Sequence, residues 1–231
     1  MDIQVIASGS KGNCYAVSDG QTAILLEAGI PFADIRKALD FRVSDLAAVL
    51  ISHEHMDHAR AVLPLIAAGV DVYCSRGTAA ALGLVGHRVH IIRARARFTI
   101  GTWSVTPLDT VHDAKEPLAF VLASGDEKLL FVTDSAYLRY KVPGCTHLML
   151  ECNYALDVLK TNVIAGVVNH EVKRRVVRSH MSLETLCGFL RANDLTSVRE
   201  IILLHLSDDS SDTEVFKRTI QALTGKAVRI A

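Results

Sequence analysis

A six-residue segment, HEHMDH, which begins at residue 53, constrains this chain more than any other feature of its sequence. It follows an apolar run at 47–51 that is typical of a buried strand. The end of a strand holds the backbone rigidly, and alternate residues of an extended segment face the same side, so His53 and His55 are expected to point together. Asp57 and His58 then fall on the turn into a helix. Three imidazoles and a carboxylate at this spacing predict a metal site.

Further metal ligands are expected downstream, because one short segment cannot complete two coordination shells. The candidates are polar residues that follow apolar, strand-like runs. They are His112, after the strand that begins at Trp103, Asp134, after 128–132, and His205, after 200–204. A donor set made only of nitrogen and oxygen suits zinc and also allows manganese or iron.

Apolar periodicity predicts a series of short strands interspersed with helices. The predicted strands cover 3–8, 14–18, 22–27, 47–51, 70–73, 89–92, 98–100, 103–106, 118–122, 128–132, 148–150, 200–204 and 227–230. The predicted helices cover 58–68, 154–160, 170–177, 182–191 and 211–223, the last opening with the capping box Ser211-Asp212-Thr213-Glu214. A further helix is expected to start at Pro31, which Ile35 and Leu39 follow at i, i+4 spacing. Two β-rich halves with outer helices suggest a four-layer αββα sandwich, an α/β fold. Since no Gly/Ser/Pro-rich linker divides the chain, residues 1–231 are predicted to form a single domain.

These motifs, taken in order over nearly the whole chain, resemble those of the metallo-β-lactamase superfamily, whose fold is the same αββα sandwich. The resemblance implies two divalent metal ions. It assigns one metal to His53, His55 and His112, the other to Asp57, His58 and His205, and a bridging position to Asp134. All seven positions carry suitable residues, which argues against a non-catalytic scaffold. One departure is Ala61, where a glycine often stands in this family; it concerns helix packing rather than the ligands.

Segments outside the metal motifs are similar to the YycJ/WalJ-like branch of the superfamily, which includes DNA exonucleases. They are SGSKGN at 8–13, HDAKEP at 112–117, ECNY at 151–154, KRR at 173–175 and SHMS at 179–182. The segments SHMSLE and HLSDD are more similar to those of compact relatives. Among these relatives are the anti-Pycsar enzymes, which hydrolyse 3′,5′-cyclic nucleotides. That second resemblance implies a homodimer and an activity that counters cyclic-nucleotide immune signalling, a form of anti-phage defence evasion.

Charge guides the choice of substrate. The 25 basic and 25 acidic side chains give a net charge of zero, whereas an exonuclease is expected to offer a basic track for several phosphates. Aromatic residues make up 6%, so stacking platforms for bases are few. The sequence therefore favours a small anionic phosphodiester such as a cyclic mononucleotide, with a DNA exonuclease as the alternative. A nucleotide-sequestering binding module and a thioester or lactam hydrolase are the remaining hypotheses.

Two local groups of arginines stand out against this neutral background. Arg93, Arg95 and Arg97 alternate and are expected on one face of a strand. Arg174, Arg175 and Arg178 are expected on one face of a helix. Each group is interpreted either as a solvated surface or as a contact with phosphate or a second subunit.

The mechanistic hypothesis is two-metal hydrolysis of a phosphodiester, in which a metal-bridging hydroxide attacks phosphorus in line and leaves a nucleoside 5′-monophosphate. Asp57 is expected to orient the nucleophile and take its proton. His180 is expected to assist the leaving oxygen, with a helix-capping role as the alternative. The predicted substrate contacts are Ser10, Asn13, Asn153 and Arg175; for the turn that carries Ser10 and Asn13, a purely structural role is equally open.

The sequence predicts a cytoplasmic location. It contains no apolar run of the roughly 20 residues that a membrane span needs and no signal-peptide pattern at its start. Its five cysteines are scattered and odd in number, which favours reduced, buried thiols.

Overall fold

A computed structural model describes residues 1–207 and 210–231. Asp208 and Asp209, which end the HLSDD segment, lie outside the described residues. The chain divides into two units: unit 1 comprises residues 1–109 and 114–126, and unit 2 comprises residues 110–113 and 127–231. The prediction of a single domain over 1–231 stays a prediction.

Unit 1 is built on a six-stranded sheet in the order β1 to β6. Its strands are β1 (Asp2–Ala7), β2 (Cys14–Ser18), β3 (Ala23–Leu26), β4 (Leu46–Leu50), β5 (Val72–Ser75) and β6 (Val89–Ile92). The first three strands pair antiparallel, and β3 to β6 pair in parallel. Strand β4 reads as an almost unbroken apolar run because a parallel strand is covered on both faces.

Four short helices and a three-stranded meander complete unit 1. The helices are α1 (Phe32–Ala38), α2 (Met56–Ala59), α3 (Val62–Ala67) and α4 (Arg76–Ala81). The antiparallel meander consists of β7 (Phe98–Ile100), β8 (Trp103–Asp109) and β9 (Leu118–Ser124). Trp103 is fully buried, and its indole N–H donates to the carbonyl oxygen of Thr22 at 3.0 Å, which ties the meander to the start of β3.

Unit 2 contains four parallel strands in the order β13-β12-β11-β10. They are β10 (Glu127–Val132), β11 (His147–Glu151), β12 (Glu200–Leu204) and β13 (Ala227–Ile230). Its helices are α5 (Leu156–Ile164), α6 (His170–Ser179), α7 (Leu183–Ala192) and α8 (Thr213–Thr224). Because the carboxyl ends of parallel strands meet at one edge, residues that follow β10, β11 and β12 gather there.

Most predicted helices and strands are confirmed, and several strands have the same first and last residues as predicted. The single helix predicted at 58–68 is wrong. The structure has two short helices instead, α2 and α3, separated at Arg60 and Ala61. The backbone of Ala28 enters this break: its N–H donates to the carbonyl oxygen of His58 at 2.7 Å, and its carbonyl accepts from the N–H of Ala61 at 2.8 Å. These bonds replace the helical ladder and hold α2 against the residues that follow β3.

Two other sequence predictions need correction. Arg93, Arg95 and Arg97 do not share a strand face, since they lie in a turn between β6 and β7 in which Arg95 has a φ of 67°. The cap of α8 is Asp212 rather than Ser211, because the Asp212 carboxylate accepts from the N–H of Val215 at 3.0 Å. Helix α4 was not predicted, although Ser75 is an N-cap signal before its Ala-rich stretch.

The five cysteines are all buried and none forms a disulfide, as predicted. Among the helices that the structure describes, none has the length and apolar character required to cross a membrane.

Candidate metal centre

The HEHMDH segment covers the end of the loop after β4 and the start of α2, as the sequence predicts. His53 lies in the loop after β4, His55 precedes the first turn of α2, and Asp57 and His58 lie within that helix. Nε2 of His53 is 3.1 Å from Nδ1 of His55, and Nε2 of His58 is 3.3 Å from a carboxylate oxygen of Asp57. The imidazole centroids of His53 and His58 are 4.2 Å apart. Unit 1 therefore brings these four predicted ligands together.

Glu27, a residue that was not singled out in the sequence, supports this cluster from behind. Its side chain is fully buried, and one carboxylate oxygen lies 3.3 Å from Nδ1 of His58. The other accepts from the backbone N–H of Ser52 at 3.1 Å. Burial raises the pKa of the Glu27 carboxyl, whereas the contacts with His58 and Ser52 act to lower it. A carboxylate behind an imidazole fixes the ring and strengthens the other ring nitrogen as a ligand.

Asn13 ties the glycine-rich turn to α2. Its side chain is fully buried, and its amide nitrogen lies 3.2 Å from the carbonyl oxygen of Asp57 and 3.1 Å from Nε2 of His58. Its amide oxygen accepts from the N–H of Gly9 at 3.0 Å. These contacts give Asn13 a positioning role, while its predicted contact with substrate stays a prediction. Ser10, in the same turn, is exposed.

Gly29 lies in the loop after β3 and permits the close approach of that loop to α2. A Cβ added at Gly29 would lie 1.6 Å from the carbonyl oxygen of Asp57, which leaves no room for any side chain. The N–H of Gly29 also donates to the carbonyl oxygen of Asn13 at 2.8 Å. The loop after β3 is therefore packed backbone against backbone with α2.

Unit 2 collects the other predicted ligands, each of which follows a strand, as the sequence predicts. His112 lies in the segment 110–113 that follows β8, Asp134 follows β10, and His205 follows β12 directly. Oδ2 of Asp134 is 3.6 Å from Nε2 of His112, and Oδ1 of Asp134 is 3.7 Å from Nε2 of His205. The side chains of all three are at least 95% buried.

The orientation of His112 is fixed by α6. Its Nδ1–H donates to the carbonyl oxygen of Ser179 at 2.8 Å, which leaves Nε2 to face Asp134. Burial lowers the pKa of the His112 imidazole, with Asp134 acting in the opposite direction. A neutral imidazole whose Nε2 carries the lone pair is the form that binds a metal.

Glu151, at the end of β11, organises the remaining polar groups of unit 2. It is fully buried, and Oε1 accepts from Nδ1 of His180 at 2.6 Å and lies 3.6 Å from Nδ1 of His205. Oε2 accepts from the N–H groups of Ser135 and Met181 at 2.8 and 3.1 Å. The imidazoles of His180 and His205 stack with centroids 5.4 Å apart. Like Glu27, Glu151 was not singled out, although a charged residue that ends an apolar strand is the signal that identified Asp134.

Two predicted substrate contacts also belong to unit 2. Asn153 is buried, and its amide nitrogen donates to the carbonyl oxygen of His205 at 2.9 Å, so it positions that residue. Arg175 is exposed on α6 and lines a cavity that also includes His112. The roles assigned to both in substrate binding stay predictions.

Backbone strain marks three of these positions. Glu27, Asp134 and His205 have φ values of 63°, 35° and 52°, in the left-handed region that residues with a side chain rarely adopt. Each follows a parallel strand of its unit and carries a side chain of the polar clusters described above. Strain of this kind persists only where the surroundings impose it, and it concentrates at functional sites.

The donors of unit 2 fit a divalent metal ion. Asp134, Glu151, His180 and His205 each offer one ligand atom, and these four atoms lie within 4.8 Å of one another. Imidazole nitrogen and carboxylate oxygen suit zinc, manganese and iron. Glu151 and His180 also share a hydrogen bond of 2.6 Å within this group.

The chain is similar to known proteins over most of its length. The sequence profile of the beta-lactamase superfamily domain matches residues 22–206. Exodeoxyribonuclease YycJ of Bacillus anthracis is 26% identical over 239 aligned residues, which cover 95% of this chain and 88% of that protein. Exodeoxyribonuclease WalJ of Streptococcus pneumoniae D39 is 26% identical over 233 residues, which cover 94% of this chain and 85% of that protein.

Solved structures confirm the predicted fold class. The crystal structure of the metallo-beta-lactamase fold protein YhfI from Bacillus subtilis superposes with a TM-score of 0.77 at 18% identity. The superposition covers 99% of this chain and 95% of that one. The profile match, the two full-length relatives and this fold identify the chain as a member of the metallo-β-lactamase superfamily of metal-dependent hydrolases, in its YycJ/WalJ-like branch.

Proposed function

We propose that this protein is a metal-dependent exodeoxyribonuclease that hydrolyses phosphodiester bonds at the ends of DNA. The observation that carries the proposal is the similarity, over about nineteen-twentieths of the chain, to two proteins named as exodeoxyribonucleases. Composition alone favours a cyclic mononucleotide, because the net charge is zero. Because both relatives are named as exodeoxyribonucleases, we rank DNA above a cyclic mononucleotide as the substrate.

The metal ligands are proposed as the superfamily resemblance implies. One divalent ion would be held by His53, His55 and His112 and a second by Asp57, His58 and His205, with Asp134 available to both. When bound, such ions polarise a phosphodiester and make a water molecule a stronger nucleophile near neutral pH. Zinc is the proposed metal, with manganese as the alternative.

The protein's own groups orient the ligands and manage the protons. Glu27 lies behind His58, and the Ser179 carbonyl lies behind His112, so both imidazoles have a fixed orientation. Asp57 is proposed to orient the attacking water and to accept its proton. His180 is proposed to donate a proton to the leaving oxygen; its Nδ1 is engaged by Glu151, so Nε2 is the ring nitrogen that remains for this step.

Hydrolysis of 3′,5′-cyclic nucleotides, with its role against cyclic-nucleotide immune signalling, is the second candidate. Neutral net charge favours it, because a substrate with one phosphate needs no extended basic surface. A nucleotide-sequestering module and a thioester or lactam hydrolase rank below both. The homodimer and the cytoplasmic location stay predictions.

A panel of substrates tests the proposal. Purified protein with Zn²⁺ or Mn²⁺ is incubated with end-labelled linear duplex and single-stranded DNA, and in parallel with cyclic AMP, GMP, CMP and UMP. We expect progressive release of nucleotides from DNA ends and intact cyclic nucleotides. Rapid loss of cyclic nucleotides with intact DNA would instead establish the second candidate. The Asp134→Ala variant, which removes the bridging ligand, controls for a contaminating nuclease.

A further inference from the structure

Helix α6 presents exposed arginines to a cavity of about 370 Å³ next to His112. The cavity is lined by residues of unit 2 alone: His112, Asp113, Glu171, Arg174, Arg175, Arg178 and Ser179. A second cavity, of about 320 Å³, continues along the same helix and is lined by His170, Lys173, Arg174, Val177 and Arg178. The basic group predicted on one helix face is therefore a concave surface, which we call the α6 cavity surface.

The charges of this surface leave two arginines available to an anion. Arg174 pairs with Glu171 at 3.1 Å, so these two charges offset each other. Arg175 and Arg178 are exposed, and among the described residues neither has a carboxylate within the 4.0 Å of an ion pair. Asp113 also lines the cavity, with its carboxylate 3.2 Å from Nε2 of His112, and it offsets one of the two remaining positive charges. The local balance is positive although the whole chain is neutral.

The same helix fixes the distance between these arginines and a proposed metal ligand. Ser179, the last residue of α6, accepts the Nδ1–H of His112, and its hydroxyl donates to the carbonyl oxygen of Arg175. Four residues of helix separate Arg175 from Ser179, which is about 6 Å along the axis. A DNA strand advances by about 3.4 Å per nucleotide along a duplex. Arg178 directly precedes Ser179, and Arg175 lies about 6 Å from it along the axis, so both lie within about two nucleotides of the residue that orients His112.

We propose that the α6 cavity surface binds the phosphates of the DNA strand that flank the cleaved phosphodiester, with Arg175 and Arg178 as the contacting residues. The proposal rests on the exonuclease function proposed above. Guanidinium groups match the non-bridging oxygens of a phosphate in a bidentate geometry. They are weakly hydrated, so the free energy of desolvation on binding is small. The second cavity continues this track toward Lys173. The α6 cavity surface is therefore a local basic track on a chain whose total net charge is zero.

Salt dependence of DNA binding tests this inference. A phosphorothioate oligonucleotide, which resists cleavage, is titrated with the metal-loaded protein at several salt concentrations. The Arg175→Gln/Arg178→Gln variant should bind on the order of tenfold more weakly. The slope of log K against log salt should fall by about 1.4 with a single-stranded oligonucleotide and about 1.8 with a duplex, since each lost contact removes about 0.7 or about 0.9. The matched control is Arg218→Gln, which removes the same charge from an exposed position on α8.

A small substrate separates failure of this inference from failure of the proposed function. Bis(p-nitrophenyl) phosphate has a single phosphate and no flanking strand, so the double variant should lose much less kcat/KM on it than on DNA. A charge-preserving Arg175→Lys/Arg178→Lys variant should recover most of the salt slope. An unchanged salt slope and unchanged DNA cleavage in the Gln variant would overturn the inference and leave the exonuclease function standing. Hydrolysis of the small diester without DNA binding by wild-type protein would overturn both.

Discussion

The carboxylate of Glu151 accepts the Nδ1–H of His180 at 2.6 Å, at the end of β11 and out of contact with solvent. Its other oxygen accepts the backbone N–H groups of Ser135 and Met181. A carboxylate with both oxygens engaged has a fixed orientation, so it fixes the imidazole as well. Glu151 therefore acts as a positioning residue through His180, and the loops after β10 and α6 are held by the same group.

Replacing Glu151 with Gln should shift the alkaline limit of activity to lower pH. Burial acts to lower the pKa of His180, but the charge and hydrogen bond of Glu151, with the charge of Asp134, raise it to about 9. A His180 that donates a proton is competent below this pKa, and activity falls as pH rises through it. Without the carboxylate, the fall should occur at lower pH. The pH–rate profile measures this shift.

Glu184→Gln is the matched control, because it neutralises an exposed carboxylate on α7. The control should keep the wild-type alkaline limit. If both variants show the same profile as wild type, Glu151 does not set the protonation of His180.

Replacing Asp134 or His58 with Ala should abolish turnover and release metal. Asp134 lies within 4 Å of nitrogen atoms of His112, His180 and His205, so its removal leaves those imidazoles without the carboxylate they share. Metal content per chain by mass spectrometry and DNA cleavage are measured together. Asp126→Ala, in the exposed turn between β9 and β10, should change neither. Activity retained with Asp134→Ala would refute its bridging role.

His180→Ala should slow turnover while metal stays bound, because His180 is proposed to deliver a proton rather than to ligate. The loss should be about 10²- to 10⁴-fold, the range of a general acid. An activated leaving group needs no proton, so hydrolysis of bis(p-nitrophenyl) phosphate should fall much less than cleavage of DNA. Equal losses on both substrates would assign His180 to metal binding or to packing.

Gly29→Ala should destabilise the protein and weaken metal binding together. The added Cβ would meet the carbonyl oxygen of Asp57, so α2 or the loop after β3 must move; overpacking of this kind costs about 1–3 kcal/mol. The control is Gly188→Ala on α7, where an added Cβ meets nothing within 4 Å and should stabilise the helix by about 0.5–1 kcal/mol. Urea unfolding and metal affinity are measured for both. Normal metal affinity in Gly29→Ala would show that the backbone contact does not position Asp57.

The metal-binding segments could be predicted because each ligand follows an apolar run, and that pattern is local. His112, Asp134 and His205 all lie after the strands that the sequence predicts. The supporting carboxylates Glu27 and Glu151 have the same local pattern, at the ends of AILLE and LMLE, but their partners His58 and His180 come from distant segments.

Other features depend on contacts between distant segments and could not be predicted locally. The break between α2 and α3 arises because Ala28 supplies a donor and an acceptor from a loop some 30 residues earlier in the chain. The arginines at 93–97 alternate as a strand would, yet the N–H of Arg95 donates to the carbonyl oxygen of Pro107, and the chain turns. Periodicity carries no information about such partners.

The dependence of DNA cleavage on bound metal is the decisive measurement for this protein. Metal-free protein is titrated with Zn²⁺ or Mn²⁺, and the release of nucleotides from linear DNA is followed against the metal bound per chain. We expect no activity in the chelated protein and a rise in activity that ends at two ions per chain. Full activity without metal, or a maximum reached at one ion per chain, would contradict it.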